Sequence, residues 1–318
     1  MIYFIVNKTS GTGKGKIIWE KVQELADSSG KSYESYITKY EGHARELATQ
    51  ICEKEDPDIC LVIVGGDGTM NEVLDGMKNF EKVRLGIIPT GSGNDFCRGL
   101  GVSTDIEVAW KSILQVMEKG NEAAKSIDLG QVSWEGCKEP RLFGISAGVG
   151  LDAIVCKKAL HSNLKKFLNK IHLGKLTYIL LTVQTLFSMK TADGEVEYRN
   201  EKGEVFEKRT LKKMIFSAAM NLRAEGGGVP MAPKANCSDG KLSMCSAFGI
   251  PKWRTFFCLP LLTAAKHERL KGFLVLDAKD IHMTLSKPMT LHADGEYMGE
   301  VADVTFTTLP MKLRMLME

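Results

Sequence analysis

Three times in the first third of the chain, an uninterrupted apolar run gives way to a glycine-containing loop and then to a helical pattern. Tyr3 to Val6 precede Ser10-Gly11-Thr12-Gly13-Lys14-Gly15, Cys60 to Val64 precede Gly65-Gly66-Asp67-Gly68-Thr69, and Leu85 to Ile88 precede Pro89-Thr90-Gly91-Ser92-Gly93-Asn94-Asp95. A strand that is apolar at every position must be covered on both faces, and alternation of such strands with helices predicts a parallel, doubly wound α/β sheet. Ligands of such sheets sit at the carboxyl ends of the strands, where these loops fall. After about Ser126 the pattern changes to β-type segments punctuated by glycine: Arg141 to Ser146, Lys213 to Met220 and Lys241 to Phe248. This predicts an antiparallel second domain with a lysine-rich helical insertion near Lys157 to Met189. The last run, Asp303 to Met317, is again strand-like, and pattern alone leaves open whether it returns to the first domain.

A chain of 318 residues has room for two domains that each bury a core without metal or disulfide support. Its eight cysteines are scattered with no C-x-x-C pair, which fits a reducing, cytoplasmic setting. A net charge of +3 is too small to imply nucleic acid. The opening Met-Ile-Tyr-Phe-Ile-Val reads as a first strand and not as a leader. The longest apolar stretch, Leu176 to Phe187, is interrupted by polar residues and too short to span a bilayer. Any membrane is therefore met from outside.

Among the loops, Gly65-Gly66-Asp67-Gly68-Thr69 speaks most clearly. Glycines let backbone N–H groups approach phosphate oxygens, the following helix start favours anions, and an aspartate there can hold magnesium through water. The competing reading is a tight turn without a ligand, and three glycines around one aspartate favour phosphate. Thr69 and Glu72 have capping-box spacing, and Met70, Val73, Leu74 and Met77 share a helical face. Asn7, Ser10 and Gly11 match no standard phosphate fingerprint, and their place beside the other loops points to a nucleotide contact. Ser92 and Asp95 stand at N-cap spacing, so helix capping and function weigh evenly there. Asp294-Gly295-Glu296 and Asp239-Gly240 each read first as a structural turn, although a carboxylate at Glu296 could accept a hydroxyl proton. Between Ala153 and Ala192 lie seven lysines (157, 158, 165, 166, 170, 175 and 190) and no acid. With Leu164, Phe167, Leu168 and Ile171 they fit a solvated face and an anionic membrane surface about equally.

As a set, these motifs resemble the diacylglycerol kinase catalytic-domain family, in its bacterial lipid kinase branch, which is also similar to sphingosine kinases. Ile63 to Val73 (IVGGDGTMNEV) and Pro89 to Arg98 (PTGSGNDFCR) look like that family's two signature loops. Gly144 to Val155, Lys175 to Tyr178, Asn221 to Leu242 and Leu291 to Glu296 (LHADGE) follow in the family's order. A Gly-Gly-Asp-Gly loop also occurs in 6-phosphofructokinases and NAD kinases; the second loop together with Asp-Gly-Glu selects lipid kinases. Lys8 stands where the family usually has proline.

The resemblance implies an α/β nucleotide-binding domain over 1–125, joined by a C-terminal strand at 303–318, and a β-sandwich lipid-binding domain over 126–302, with the active site in the interdomain cleft. It implies that Asn7, Ser10, Gly11, Thr38, the run Gly65, Gly66, Asp67, Gly68, Thr69, Met70, Asn71, and Ser92 line an ATP site. It makes Glu296 the proton acceptor, with Asp67, Asp95 and Asp294 around magnesium, and places a second, structural Mg2+ at Asp239 with the carbonyls of Asn236 and Lys241. The expected activity is ATP-dependent phosphorylation of a lipid hydroxyl, diacylglycerol to phosphatidic acid, at the inner face of a membrane with anionic headgroups. A homodimer through a sheet edge is a further expectation. The rival expectations are a soluble-metabolite kinase of the NAD kinase type and an inactive, nucleotide-gated membrane-binding protein.

Overall fold

The computed structural model describes residues 1–91, 93–160 and 182–318. Ser92, Lys165, Lys166, Lys170, Lys175 and the apolar residues Leu164, Phe167, Leu168 and Ile171 fall outside the described residues, as do Lys175 to Tyr178. The chain divides into two compact units: Met1–Leu129 with Leu309–Glu318, and Gly130–Thr308.

The first unit is built on parallel strands β1 (Ile2–Val6), β2 (Tyr33–Ile37), β3 (Ile59–Gly65) and β4 (Val83–Pro89), in spatial order β2-β1-β3-β4. Every residue of β1, β3 and β4 is buried, because helices cover both faces. Those helices are α1 (Lys14–Ser28), α2 (His43–Cys52), α3 (Asp67–Gly76), α4 (Asp95–Leu100) and α5 (Ile106–Glu118). Val6 pairs with both Ile37 and Val64, and Gly65 with Pro89, so the carboxyl ends of all four strands lie along one edge. From β1 the chain crosses to β2 on one side and then to β3 on the other. That reversal is a topological switch point, the place where an open α/β sheet leaves a crevice for a ligand. The last strand of the chain, β13 (Glu296–Met315), ends in this unit, with Arg314 and Met315 parallel to Arg84 and Leu85 of β4.

Helix starts differ in a way that bears on function. Asp105 caps α5 by accepting the Val108 N–H at 2.9 Å, whereas α3 has Gly66 at its N-cap and no side-chain cap. The capping box expected from Thr69 and Glu72 is therefore not formed. The helix begins two residues before Thr69, and the Glu72 carboxylate instead accepts the Ala44 N–H of α2 at 3.1 Å. The expected apolar face holds, with Met70, Val73, Leu74 and Met77 all buried.

The second unit contains the other end of β5 (Lys125–Trp134), then β6 (Arg141–Phe143), β7 (Ser146–Gly150), α6 (Leu151–Leu160), β8 (Ala192–Arg199), β9 (Val205–Met220), β10 (Leu242–Phe248), α7 (Lys252–Thr263), β11 (Phe273–Ala278), β12 (Asp280–Ala293) and most of β13. Strand Arg141 to Ser146 of the sequence reading is split at Gly144 and Ile145 into β6 and β7. The two longest strands before β13 each serve two pairings. β9 lies against β8 through Val205–Leu211 and against β7 and β10 beyond Met214; β12 lies against β8 through Asp280–Leu285 and against β7 through Leu291–Ala293. Their register breaks, with Lys213 at φ +50° in β9 and a shift between Thr284 and Met289 in β12, let one strand join two layers. The result is a β-sandwich-like domain whose core includes Phe143, Tyr198, Met214, Leu242 and Phe306. Among the described residues no helix is long and apolar enough to cross a membrane.

The first unit's core centres on Phe4, fully buried on β1, whose ring meets Trp19 at 5.2 Å, Tyr33 at 5.5 Å and Trp110 at 5.8 Å. Phe4→Ala is expected to cost about 3–5 kcal/mol by urea denaturation; a loss under about 1 kcal/mol would mean that this cluster does not carry the core.

Candidate active site

At the carboxyl edge of the first unit, the three glycine loops are tied together by side chains far apart in sequence. Asn7, just after β1, donates from Nδ2 to Thr69 Oγ1 at 3.0 Å and accepts the backbone N–H of Ser10 at 3.1 Å. The Ser10 and Thr90 hydroxyls are 2.5 Å apart, joining the first loop to the third. Gly11 has φ +59°, and a Cβ there would stand 2.0 Å from the Thr90 carbonyl oxygen, so this close approach of two loops requires glycine. Thr38 extends β2 at the same edge, its N–H bonded to the Val6 carbonyl. Asn71 is buried within α3, while Gly68 is exposed in its first turn.

Asp67 reaches from the start of α3 to the start of α4. Its two carboxylate oxygens accept the N–H groups of Asp95 and Phe96, each at 3.1 Å. The N-cap residue of α4 is Asn94, in the left-handed region and without a side-chain cap, and Asp67 supplies acceptors for the first two amides of the helix; the expected Ser92–Asp95 pairing falls outside the described residues. Asp95 in turn is held by Arg98 at 2.5 Å, and Arg98 also donates to the Gly93 carbonyl at 2.6 Å. A Cβ on Gly93 would lie 3.2 Å from Asp67 Oδ2 and 3.7 Å from Asp95 Oδ2. Two carboxylates thus flank a space that a side chain would fill, an oxygen-lined cradle suited to a hard cation with its waters. Beside it, the first-turn amides of α3 have no partner within their own helix and no side-chain cap, the arrangement that receives phosphate oxygens. The residues present therefore fit both a nucleotide phosphate and magnesium.

In the second unit, Asp294 and Gly295 form the two-residue turn between β12 and β13, with φ +48° and +86°, and Ala293 pairs with Glu296 across it. The hairpin reading of the sequence was right, and the carboxylate has further work. Asp294 accepts the N–H groups of Gly144 and Ile145 at 2.8 Å and of Ser146 at 3.1 Å, pinning the β6–β7 connection to the turn that presents Glu296. Asp239 lies in a different, exposed loop before β10 and accepts the Lys241 N–H at 3.1 Å; Asn236 and Lys241 are exposed there too. A carboxylate such as that of Asp239 is an oxygen donor of the type magnesium takes.

One cluster was invisible in the sequence. Asp152 on α6, Glu225 in the loop after β9, and His292 on β12 bring ligand-type atoms within 4.8 Å of one another. His292 Nε2 and Asp152 Oδ2 are 3.0 Å apart, and Glu225 accepts a short hydrogen bond from the Ser146 hydroxyl. Burial acts to lower the His292 pKa, but the charge and hydrogen bond of Asp152, with the charges of Glu225 and Asp294, outweigh it and raise the ring to about 9. Gly295 donates its N–H to His292 Nδ1 at 3.3 Å, so the ring is held on both sides, and with Asp152 and Glu225 it forms a part-buried charged triad. No local signal could have found it, because its members are separated by 67 to 140 residues and none stands in a recognisable pattern.

Because the folded pKa of His292 exceeds its usual 6.5, its contribution to stability is complete below about pH 6.5 and is lost as pH rises through about 9. His292→Gln is expected to cost about 1–3 kcal/mol at pH 6, since it removes the partner of the part-buried Asp152 carboxylate. It should also reduce the fall in stability between pH 6.5 and 9. Equal pH slopes for the two proteins in urea titrations would refute the triad.

Residues 1–132 match the diacylglycerol kinase catalytic domain family, and residues 145–317 match the YegS C-terminal NAD kinase beta sandwich-like domain family. A Bacillus subtilis relative named "Putative lipid kinase YtlR" is 28% identical over 93% of this chain and 93% of its own. The diacylglycerol kinase of the same organism is 27% identical over 93% of this chain and 89% of its own. A crystal structure titled "a putative diacylglycerol kinase" from Bacillus anthracis superposes with a TM-score of 0.75 at 24% identity, covering 100% of this chain and 97% of the other, a likeness of fold.

Proposed function

Since the chain belongs to the family that joins a diacylglycerol kinase catalytic domain to a YegS-type C-terminal domain, a family of lipid kinases, we propose that it transfers the γ-phosphate of ATP to the hydroxyl of diacylglycerol, giving phosphatidic acid. The observation that carries this reading is the glycine-rich start of α3, with Gly66 at its N-cap, beside the Asp67 and Asp95 carboxylates around Gly93.

In this reading the first-turn amides of α3 hold phosphate oxygens of ATP, and Asn7, Ser10, Gly11 and Thr38 line the nucleotide at the strand ends. Asp67 and Asp95 hold magnesium, which neutralises charge on the transferred phosphoryl group. Asp67 has a double duty, because the same carboxylate fixes the start of α4. Glu296 accepts the proton of the lipid hydroxyl; the hydroxyl oxygen bonds to the γ-phosphorus as the bond to the β,γ-bridging oxygen breaks and ADP leaves. Asp294, engaged by three amides, sets the turn that orients Glu296. Asp239, with the carbonyls of Asn236 and Lys241, holds a second, structural magnesium.

The test is transfer of label from γ-labelled ATP with magnesium to diacylglycerol, phosphatidylglycerol, ceramide and a sphingoid base in mixed micelles, with NAD and fructose 6-phosphate as soluble acceptors. Label is expected in diacylglycerol. Glu296→Gln should lower turnover by about 10²–10⁴-fold with an unchanged melting curve, the usual contribution of a general base. Label in another lipid would change the substrate; label confined to NAD would overturn the lipid reading.

A further inference from the structure

The described surface of the second unit has one helix whose exposure contradicts its composition. Helix α7, Lys252–Thr263 (KWRTFFCLPLLT), is mostly apolar beyond the Lys252 and Arg254 of its first turn, a composition that in a water-soluble fold calls for burial. It buries only Thr255 and Leu262, while Trp253 is 60% exposed and Phe257 67%. Phe256 and Leu261 are also exposed, so positions 253, 256, 257 and 261 form one outward stripe at helical spacing. The three aromatic rings are packed edge to face among themselves, at 6.4 Å for Trp253 and Phe257 and 5.7 Å for Phe256 and Phe257. Exposed Phe187 stands at the same end, its carbonyl and that of Met189 accepting from Lys252 Nζ.

The charges around this stripe are of one sign. From Gly249 to Gly272 the chain carries Lys252, Arg254, Lys266, Arg269 and Lys271 against a single acid, Glu268, which Lys234 already pairs at 2.9 Å. Arg254, Lys266, Arg269 and Lys271 are exposed. Tryptophan and phenylalanine flanked by lysine and arginine is the composition that settles at the level of lipid headgroups, with the rings among the upper acyl chains and the cations against phosphate. A second protein would need a matching apolar surface bearing acids; an anionic bilayer supplies both layers at once, and it is where a diacylglycerol acceptor resides.

We infer that α7 is the membrane-docking element of this protein, inserting Trp253, Phe256, Phe257 and Leu261 into an anionic lipid surface. The inference rests on the lipid kinase reading for its choice of partner, and it names the surface by which the enzyme reaches that lipid.

Trp253 makes the test direct. Of the four tryptophans, Trp19 and Trp110 are buried and Trp134 is partly buried against the second unit's core, so Trp253 is the exposed one, and comparison with Trp253→Phe isolates its share of any emission change on vesicle binding. The full chain is mixed with phosphatidylcholine vesicles with and without phosphatidylglycerol. Expected are sedimentation with the anionic vesicles, weakened by salt, a blue shift of emission, and quenching by lipids brominated on the upper acyl chain. Trp253→Phe should keep binding and lose most of the quenching. Trp253→Ala with Phe257→Ala should bind at least about tenfold more weakly, by loss of apolar insertion, with an unchanged melting curve. Binding of that double variant equal to the parent, or no quenching in the parent, would overturn the inference. So would a dimer, seen by sedimentation velocity without lipid, that the double variant abolishes, since the stripe would then face a second copy. Phosphorylation of a short-chain, water-soluble diacylglycerol separates the two readings. Activity retained by the double variant on that substrate, with activity lost on vesicles, supports docking by α7. Vesicle binding through α7 by a parent that phosphorylates no lipid would sink the kinase assignment alone.

Discussion

The carboxylate of Asp67 is the point on which the first unit's edge depends. It begins α3 yet spends both oxygens on the N–H groups of Asp95 and Phe96. A helix start leaves its first amides without intrahelical partners, and a negative side chain there is favoured by hydrogen bonding and by the helix dipole together. Asp67 thus holds the start of α4, while its own helix has Gly66 at the N-cap, where no side chain stands between the backbone and the space beside it. Asn7 and Ser10 complete the arrangement by tying the first loop to Thr69 and Thr90.

Asp294 does similar work in the second unit. A hairpin turn of two residues at positive φ is a stable local structure, but it does not fix what lies beside it. Three backbone amides converging on one carboxylate supply that constraint and tie the hairpin to the β6–β7 connection. Behind the turn, His292 is held at 3.0 Å by Asp152, whose charge, with that of Glu225, raises its pKa. A buried ion group of this kind adds little net stability, because desolvation offsets attraction, yet it strongly disfavours any packing that separates its members. The segment around Asp294 and Glu296 is thereby specified more than it is stabilised.

Helix α7 makes a contrasting point about surfaces. Scattered exposed apolar residues are normal, but a packed aromatic stripe rimmed by cations is not explained by the fold that carries it. Its cost in water is consistent with a protein whose working environment is only partly water.

Much of this protein was legible in its sequence. The continuous apolar runs of β1, β3 and β4 can be satisfied only by a sheet covered on both faces, and the glycine loops after them fall together at its carboxyl edge, because these requirements are local and act on each segment separately. The Asp-Gly turn at Asp294 was readable for the same reason. The hold of Asp67 on the first amides of α4 was not, because Asp67 lies 28 residues from Asp95 and reaches it only once β3 and β4 pair. Thr69 and Glu72 likewise showed a capping box that tertiary partners replaced, since Asn7 and Ala44 hold them instead. The Asp152, Glu225 and His292 triad and the exposure of α7 have no local signature at all. Periodicity records how much apolar surface a segment must hide, and only the packing of distant segments decides which charges meet and which apolar face is left uncovered.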